Sequence, residues 1–369
     1  MASPGAPALR LHGVGRTFRT PRGPVVALAE VTFSLAPGEF VACLGPNGAG
    51  KSTAVKLLTG ILHPSAGEVE VLGLSPQRRR VALARRIGAV FGQKTQLWWD
   101  LPVRDSLELL AAIYGVPAAL ARQRLRLLDD ALGFGAFLER PVRLLSLGQR
   151  MRADLAAALL HAPEVLFLDE PTVGLDVAAR QAVRRFLAEV GEAGTTILLT
   201  THDMGDVEAL CRRVVILAGG RLRYDGGLEA LRAAAGLPTV AVVEFAAPPA
   251  LPPTSEALAA GVALQRSEGA CLEVGFDRAR STVGGVLAWL GRYGEVRDVR
   301  LAEPDLEAVL RGFYRAGPTG HAGLVAPTEP GGQGAGGAPG AAGPGGGAGP
   351  IGGAGSVPPE PRGPSGVAG

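Results

Sequence analysis

The sequence has few lysines, cysteines and aromatic residues. Only three of its 37 basic residues are lysines, and aromatic residues make up 5% of the chain. The three cysteines, Cys43, Cys211 and Cys271, lack the spacing of a metal site, and their odd number argues against a disulfide-stabilised secreted domain. We therefore expect the cysteines to be small buried side chains.

The sequence also lacks a long hydrophobic run. No stretch of about 18 apolar residues is free of charges or of glycine and proline, and residues 1–20 have no apolar core typical of a signal peptide. These absences predict a cytoplasmic protein. The net charge of +3 is small, and the arginines within residues 78–86 form too short a cluster to indicate nucleic-acid binding. We expect them to lie on a solvated helix face.

Composition divides the chain into three predicted regions. Residues 8–232 carry the strand and helix patterns of a main domain. Residues 238–315 alternate β-rich runs with helical segments and predict a small α+β domain. Residues 316–369 are nearly all glycine, proline, alanine and serine, so they cannot bury enough apolar surface to order themselves. We expect this last region to be a disordered tail.

The strongest motif follows the short apolar run at residues 40–44, which predicts a fully buried strand. It reads Gly-Pro-Asn-Gly-Ala-Gly-Lys-Ser-Thr and leads into a predicted helix that extends to Leu62. Its glycines let backbone N–H groups turn toward phosphates, Lys51 supplies a compact positive charge, and Ser52 can ligate Mg²⁺. The predicted nucleotide-binding residues are Gly45, Pro46, Asn47, Gly48, Ala49, Gly50, Lys51, Ser52 and Thr53.

Two carboxylates, Asp169 and Glu170, follow a second apolar run at residues 165–168. Adjacent acids at the end of a buried strand are costly unless they act on a cation or on water, and ligands bind at this end of strands in α/β sheets. We expect Asp169 to hold Mg²⁺, directly or through water, and Glu170 to be the general base for the attacking water. The alternative is that the pair caps a helix.

A third predicted strand, at residues 195–201, delivers His202 to the same edge of the sheet. A histidine in this position is either a structural residue or a group that reaches the γ-phosphate. Because two other strands already bring phosphate-binding and carboxylate groups to this edge, we favour the second role for His202 and count it among the catalytic residues.

The segment Leu-Ser-Leu-Gly-Gln at residues 145–149 has the form of a second phosphate site. Ser146 and Gln149 have the spacing of a capping box, which satisfies the first N–H groups of a helix without any ligand. A helix start with serine and glycine also suits an anion, so both roles can hold together. Since the loop at residues 45–53 already holds one nucleotide, we expect this segment to serve the nucleotide of another chain.

In this order, the phosphate loop, LSLGQ, LFLDEP, GLD and TTHD closely resemble the motifs of ATP-binding subunits of ABC transporters. The resemblance covers about residues 8–232. It implies an α/β P-loop NTPase core of the RecA type, with an antiparallel β subdomain and an inserted helical subdomain at about residues 101–160. It also implies ATP hydrolysis with Mg²⁺, and a head-to-tail dimer, of two identical or two different ATPases, that encloses two ATP molecules.

The resemblance implies further roles at the dimer interface. Ser146, Gly148 and Gln149 would complete the partner's nucleotide site, and Asp176 would line the interface. The sequence departs from the family pattern at two places in these motifs. Leu147 stands where glycine is usual, and Val173 and Gly174 stand where serine or alanine is often found.

The resemblance also assigns Gln93 and Phe18. Gln93 matches the glutamine that senses Mg²⁺ and links the catalytic site to the membrane partner, and Phe18 matches the aromatic residue that stacks on adenine. A position in the core is the alternative for Phe18. Trp98 and Trp99 follow Gln93 closely and are either packing between the core and the helical subdomain or an anchor for a partner protein.

Residues 91–103 resemble a narrower branch of ATPases that pair with multi-span permeases of the ABC-2 exporter type, some of which export viologens or other cationic drugs. Residues 304–314 resemble the closing helix of drug-exporter ATPases. This branch implies an ATPase at the cytoplasmic face of the membrane, with permease subunits as partners and no nucleic acid. The alternative is a non-transport ABC ATPase that acts as a switch in translation or DNA maintenance.

Overall fold

The computed structural model describes residues 6–310, except residues 93, 235–237, 252, 254–255, 258–259, 279, 303–305 and 307–308. Of residues 233 and 234, it describes the backbone alone. Gln93 and the predicted tail at residues 316–369 therefore lie outside the described residues, as does most of the predicted closing helix at residues 304–314.

Thirteen strands within the described ranges form three sheets. The largest is a six-stranded sheet in the order β5-β6-β7-β3-β8-β9, in which only the edge strand β9 is antiparallel to its neighbour. In chain order, the strands are β1 (Leu9–Thr20), β2 (Gly23–Leu35), β3 (Phe40–Leu44), β4 (Ala66–Val71), β5 (Ile87–Phe91), β6 (Val165–Asp169), β7 (Thr196–Thr200), β8 (Arg213–Ala218), β9 (Arg221–Gly227), β10 (Thr239–Phe245), β11 (Val262–Glu268), β12 (Cys271–Phe276) and β13 (Val296–Ala302).

The helices connect these strands and cover the large sheet. Two of them, α3 and α4, together with the start of α5, are inserted between β5 and β6 and correspond to the predicted helical subdomain. The described helices are α1 (Lys51–Leu58), α2 (Arg80–Ala84), α3 (Val103–Tyr114), α4 (Ala118–Leu132), α5 (Leu147–Leu159), α6 (Val177–Glu192), α7 (Met204–Leu210), α8 (Leu228–Ala234) and α9 (Val283–Leu290).

The central strands are apolar on both faces because both faces are covered. In β6, Leu166 and Leu168 belong to one buried hydrophobic cluster, whereas Val165 and Phe167 belong to a second cluster. Successive side chains of a strand point to opposite faces, so a strand buried on both sides must be a continuous apolar run. This is the pattern that predicted the strand, and it places the polar residue Asp169 at the strand's end.

The other described strands form two smaller antiparallel sheets. Strands β2, β1 and β4 form a three-stranded sheet, the predicted antiparallel β subdomain. Strands β11, β12, β10 and β13 form a four-stranded sheet with its own hydrophobic cluster, to which α9 contributes Val286 and Leu290. The predicted α/β fold class is confirmed.

The fold differs from expectation at the helix after the phosphate loop. The helix after the phosphate loop ends at Leu58 and not at Leu62, because Gly60 adopts a left-handed backbone with φ 74° that cannot continue a helix. Leu306, Val309 and Leu310 pack in the cluster of the large sheet and not in that of the four-stranded sheet. The boundaries at residues 238 and 315 therefore stay a prediction.

Within the described ranges, every helix is too short or too polar to span a bilayer. Two cysteines, Cys43 and Cys211, are buried as predicted, and Cys271 is half-buried. Burial raises the pKa of the Cys43 thiol to about 12, so this side chain behaves as a small apolar residue under the phosphate loop.

Candidate active site

The phosphate loop lies between β3 and α1 and depends on glycine. Gly45, Gly48 and Gly50 all have positive φ, and a Cβ atom on Gly45 would lie 2.2 Å from the carbonyl oxygen of Leu217. No side chain caps the start of α1 at Gly50. The first N–H groups of the helix therefore keep their hydrogen-bonding capacity, and an anion is a suitable acceptor for them.

Lys51 brings a positive charge into the buried part of this loop. The residue is 6% exposed, and its Nζ donates hydrogen bonds to the carbonyl oxygens of Gly45, at 2.6 Å, and Pro46, at 3.2 Å. Among the described residues it forms no ion pair with a carboxylate. A buried charge without a counterion is costly, so the loop fits a negatively charged ligand.

Ser52 and Asp169 place two oxygen ligands side by side. The Ser52 hydroxyl donates to Asp169 Oδ1 at 3.1 Å, and the Thr200 hydroxyl donates to the same oxygen. The described residues contain no cluster of three or more His, Cys, Asp or Glu that could enclose a metal. One carboxylate and one hydroxyl fit Mg²⁺, which binds proteins through few side chains and completes its shell with phosphate and water oxygens.

Glu170 and His202 are brought together at the same edge. His202 Nδ1 lies 3.3 Å from Glu170 Oε1, and the Glu170 backbone N–H donates to the Thr200 carbonyl at 2.9 Å. Glu170 has φ 55°, an uncommon backbone conformation for a residue with a side chain. Such strain persists where surrounding contacts enforce it and is frequent in active sites. The two residues are thus held in contact at the end of β6.

Gly92 packs against the carboxylate pair from the neighbouring strand. Its N–H donates to the Asp169 carbonyl at 2.8 Å, and a Cβ atom on it would lie 2.5 Å from the carbonyl oxygen of Glu170. Only a residue without a side chain allows the chain after β5 to come this close. The next residue is Gln93, whose assigned role stays a prediction because it lies outside the described residues.

We expect Gly92→Ala to lower the free energy of unfolding by about 1–3 kcal/mol, because backbone atoms must move to accept the methyl group. The matched control is Gly284→Ala on α9, where a Cβ atom would have no neighbour within 4 Å. Alanine favours helix there, so the control should be neutral or stabilising. Urea unfolding of both variants checks this, and equal stability of the two would contradict the close approach at Gly92.

Both hydrogen bonds of the predicted capping box at Ser146 are present. The Gln149 N–H donates to Ser146 Oγ at 3.2 Å, and the Ser146 N–H donates to Gln149 Oε1 at 3.0 Å. Ser146 is nevertheless exposed to solvent. The cap explains why the helix begins here, and the role of Ser146, Gly148 and Gln149 toward a second nucleotide stays a prediction.

The two departures from the family pattern contact each other. Gly174 has φ 73°, and a Cβ atom on it would lie 2.5 Å from Cδ2 of Leu147. A side chain at position 174 would have to displace the end of the Leu147 side chain, and it would also have to adopt the left-handed backbone of Gly174. Helix α5 begins at Leu147.

Asp176 caps a helix, and Phe18 lies on the first strand. Asp176 caps α6, and its carboxylate accepts a hydrogen bond from the Ala179 N–H at 2.8 Å. Phe18 is half-buried on β1, and the guanidinium of Arg16 lies 4.6 Å from the centre of its ring. Phe18 belongs to none of the buried clusters of the described chain, so the core alternative for it is not supported.

One buried carboxylate near these motifs was not predicted. Asp154, within α5, is 4% exposed and accepts hydrogen bonds at Oδ1 from the Thr95 hydroxyl, at 2.8 Å, and the Gln96 N–H, at 3.1 Å. Burial raises the pKa of Asp154 to about 6, although both hydrogen bonds and the charge of Arg150 oppose the shift. The available signal was an acidic residue within the otherwise apolar run Ala-Asp-Leu-Ala-Ala-Ala-Leu-Leu.

Comparisons with known proteins point to one family. Residues 28–173 match the family model described as ABC transporter. The chain is 32% identical over 223 residues to the ABC transporter ATP-binding protein NatA of Bacillus subtilis (strain 168), covering 60% of this chain and 91% of NatA. It is 35% identical over 288 residues to the daunorubicin resistance ATP-binding protein DrrA3 of Streptomyces coeruleorubidus, covering 77% of this chain and 89% of DrrA3.

A solved structure shares the fold. It is the dimeric structure of a post-hydrolysis state of an ATP-binding cassette bound to ADP and Pi, with a TM-score of 0.54 and 27% sequence identity. The match covers 60% of this chain and 98% of that chain. Sequence, fold and the phosphate loop agree, and the chain belongs to the ATP-binding proteins of the ABC transporter family.

Proposed function

We propose that this chain is the ATP-hydrolysing subunit of an ABC-2 type exporter, in which ATP closes a head-to-tail dimer and thereby drives membrane permeases. The observation that supports hydrolysis is the contact between Glu170 and His202 directly beside the Ser52–Asp169 pair. These groups cover the three tasks of phosphoryl transfer to water, which are to hold the phosphates, to neutralise charge and to activate the water.

Each of these side chains has a separate task in the proposed reaction. Lys51 and the N–H groups at the start of α1 orient the phosphates, and Ser52 with Asp169 would hold Mg²⁺, whose charge offsets that of the phosphate oxygens. Glu170 takes a proton from the attacking water at its carboxylate. The 3.3 Å contact with His202 keeps that carboxylate oriented.

The proposed permease contact is the surface formed by Trp98, Trp99 and Leu144. Their exposed fractions are 39%, 51% and 52%, and the Trp99 carbonyl accepts a hydrogen bond from the N–H of Arg143, next to Leu144. Large apolar side chains that stay this exposed favour an anchor for a partner over internal packing. A permease contact there would place the chain at the cytoplasmic face of the membrane.

The names of two relatives support export as the direction of transport, whereas a third relative, 38% identical over 230 residues, is named a methionine import ATP-binding protein. DrrA3 is named for daunorubicin resistance, and the chain is 40% identical over 201 residues to the Nod factor export ATP-binding protein I of Burkholderia thailandensis. We propose cationic drugs or related foreign compounds as the cargo, on the resemblance at residues 91–103. Within the described chain, no observation favours the alternative function in translation or DNA maintenance.

The test is the sedimentation mass of the Glu170→Gln protein with and without Mg·ATP. We expect a dimer only with Mg·ATP, because the nucleotide is bound but hardly cleaved. Adding Ser146→Arg should abolish the dimer, since a large cation replaces an exposed hydroxyl at the predicted second phosphate site.

The matched control for Ser146→Arg is Thr282→Arg, which also removes a helix cap but lies on α9. Loss of either cap costs about 1 kcal/mol, so the two variants should have similar stability. Only Ser146→Arg should remain monomeric. A dimer that survives Ser146→Arg would refute the role of this segment, and a monomeric parent would refute ATP-driven dimerisation of the isolated chain.

A further inference from the structure

The loop after Gln93 is attached to the helix that begins at Ser146. Asp154 lies about two turns into that helix, α5. Its Oδ1 accepts the Thr95 hydroxyl and the Gln96 N–H, and its backbone carbonyl accepts Gln96 Nε2 at 3.0 Å. Three hydrogen bonds thus join one residue of α5 to the loop.

A second contact between the same helix and loop lies one turn earlier. The guanidinium of Arg150 is 5.7 Å from the centre of the Trp99 ring, a distance at which the cation and the ring attract each other. At its other end, the loop begins at Gly92, whose N–H donates to the Asp169 carbonyl. Gly92 therefore contacts the carboxylate pair, and residues 94–99 join α5 to the exposed tryptophans.

The buried carboxylate of Asp154 serves as a hydrogen-bond acceptor. It is 4% exposed, and its raised pKa means that burial disfavours the ionised form relative to water. Asparagine has nearly the same shape and could accept both hydrogen bonds that Oδ1 receives. Any residue at this position must therefore supply an acceptor oxygen that joins α5 to the loop.

We propose that Asp154 is a positioning residue that makes residues 94–99 and the start of α5 move as one unit when nucleotide binds. A change at the carboxylate pair would then reach both Ser146 and the Trp98–Trp99 surface through these hydrogen bonds. This inference rests on the proposed function, since it assumes that the nucleotide binds at the phosphate loop.

The chain provides its own reporter for this movement. Its three tryptophans are Trp98, Trp99 and Trp289, so Trp289→Phe leaves the loop as the only source of tryptophan fluorescence. In the full-length Trp289→Phe protein, we expect Mg·ATP to shift the fluorescence emission of Trp98 and Trp99. Asp154→Leu should reduce that response at least about fivefold, the lower end of typical coupling between sites. ATP affinity, measured by equilibrium dialysis, should stay within about threefold.

Two further variants separate positioning from folding. Asp154→Asn keeps the acceptor oxygen, so it should retain the emission response. Thr95→Val removes the hydrogen bond to Asp154 and a second one inside the loop, from the Leu97 N–H, and leaves α5 unchanged. We expect a partial loss of the response. For steady-state hydrolysis, Asp154→Leu should lower kcat and leave KM nearly unchanged. A purely structural defect would instead lower the amount of folded protein and leave kcat per folded molecule unchanged.

The results distinguish this inference from the proposed function. Release of phosphate by the Trp289→Phe parent tests hydrolysis, independently of the fluorescence. The positioning role of Asp154 would be overturned if the emission of the Trp289→Phe parent did not respond to Mg·ATP. It would also be overturned if the Asp154→Leu and Thr95→Val proteins both responded as fully as the parent. The positioning role stands if the response is lost in Asp154→Leu and retained in Asp154→Asn.

Discussion

Glu170→Gln is expected to slow ATP hydrolysis by about 10²–10⁴-fold, the usual contribution of a positioned general base. The amide has the shape of the carboxylate but cannot take a proton from water. Lys51, Ser52 and Asp169 are untouched by the change, so ATP affinity should be nearly unchanged. Phosphate release at saturating Mg·ATP and equilibrium dialysis measure the two quantities separately.

A matched control for this variant is Glu68→Gln, an exposed carboxylate on β4. It should hydrolyse ATP at the wild-type rate.

The contact between Glu170 and His202 can be tested with a double variant. If the two side chains act as a unit, His202→Ala should have little additional effect in the Glu170→Gln background. Hydrolysis by Glu170→Gln at the wild-type rate would show that Glu170 is not the base.

Lys51→Ala is expected to weaken ATP binding by about 10–100-fold, because a hydrogen bond to a charged group contributes about 1.5–3 kcal/mol. Stability should not fall in the same variant. The Lys51 ammonium is buried against two carbonyl oxygens without a carboxylate partner among the described residues, so its removal relieves a desolvation cost. Calorimetric titration with Mg·ATP and urea unfolding test the two effects.

Lys56 offers the matched control on the same helix. It is half-buried and lies five residues further along α1, so Lys56→Ala removes a lysine without touching the phosphate loop. Its ATP affinity should remain at the wild-type level. Lys51→Arg should also bind poorly, because a planar guanidinium does not fit the place of a compact ammonium. Unimpaired ATP binding by Lys51→Ala would exclude the loop as the nucleotide site.

The sequence was informative wherever neighbouring residues decide the structure. The phosphate loop, the strand that precedes Asp169 and the capping box of Ser146 and Gln149 depend on contacts within a few residues, and the structure contains all three. Glu170 and His202 also lie at the same edge of the large sheet, as predicted, because strands β6 and β7 are parallel neighbours.

One error is local, and the omissions concern contacts between residues far apart in the chain. The helix after the phosphate loop was predicted four residues too long, since its apolar pattern continues to Leu62 although Gly60 ends it. Leu147 was noted as a departure from the family, but its packing over Gly174 could not be read from the sequence. Asp154 was missed because its partners Thr95 and Gln96 are nearly 60 residues away.

By itself, the sequence determined which chemical groups are present and the local backbone that carries them, because glycine conformations, apolar runs and helix caps act over short distances. Only the tertiary structure decided which groups meet. It placed Ser52 against Asp169, Glu170 against His202 and Asp154 against the loop after Gln93. Strand order and helix packing set those contacts, and they depend on how the whole core fits together.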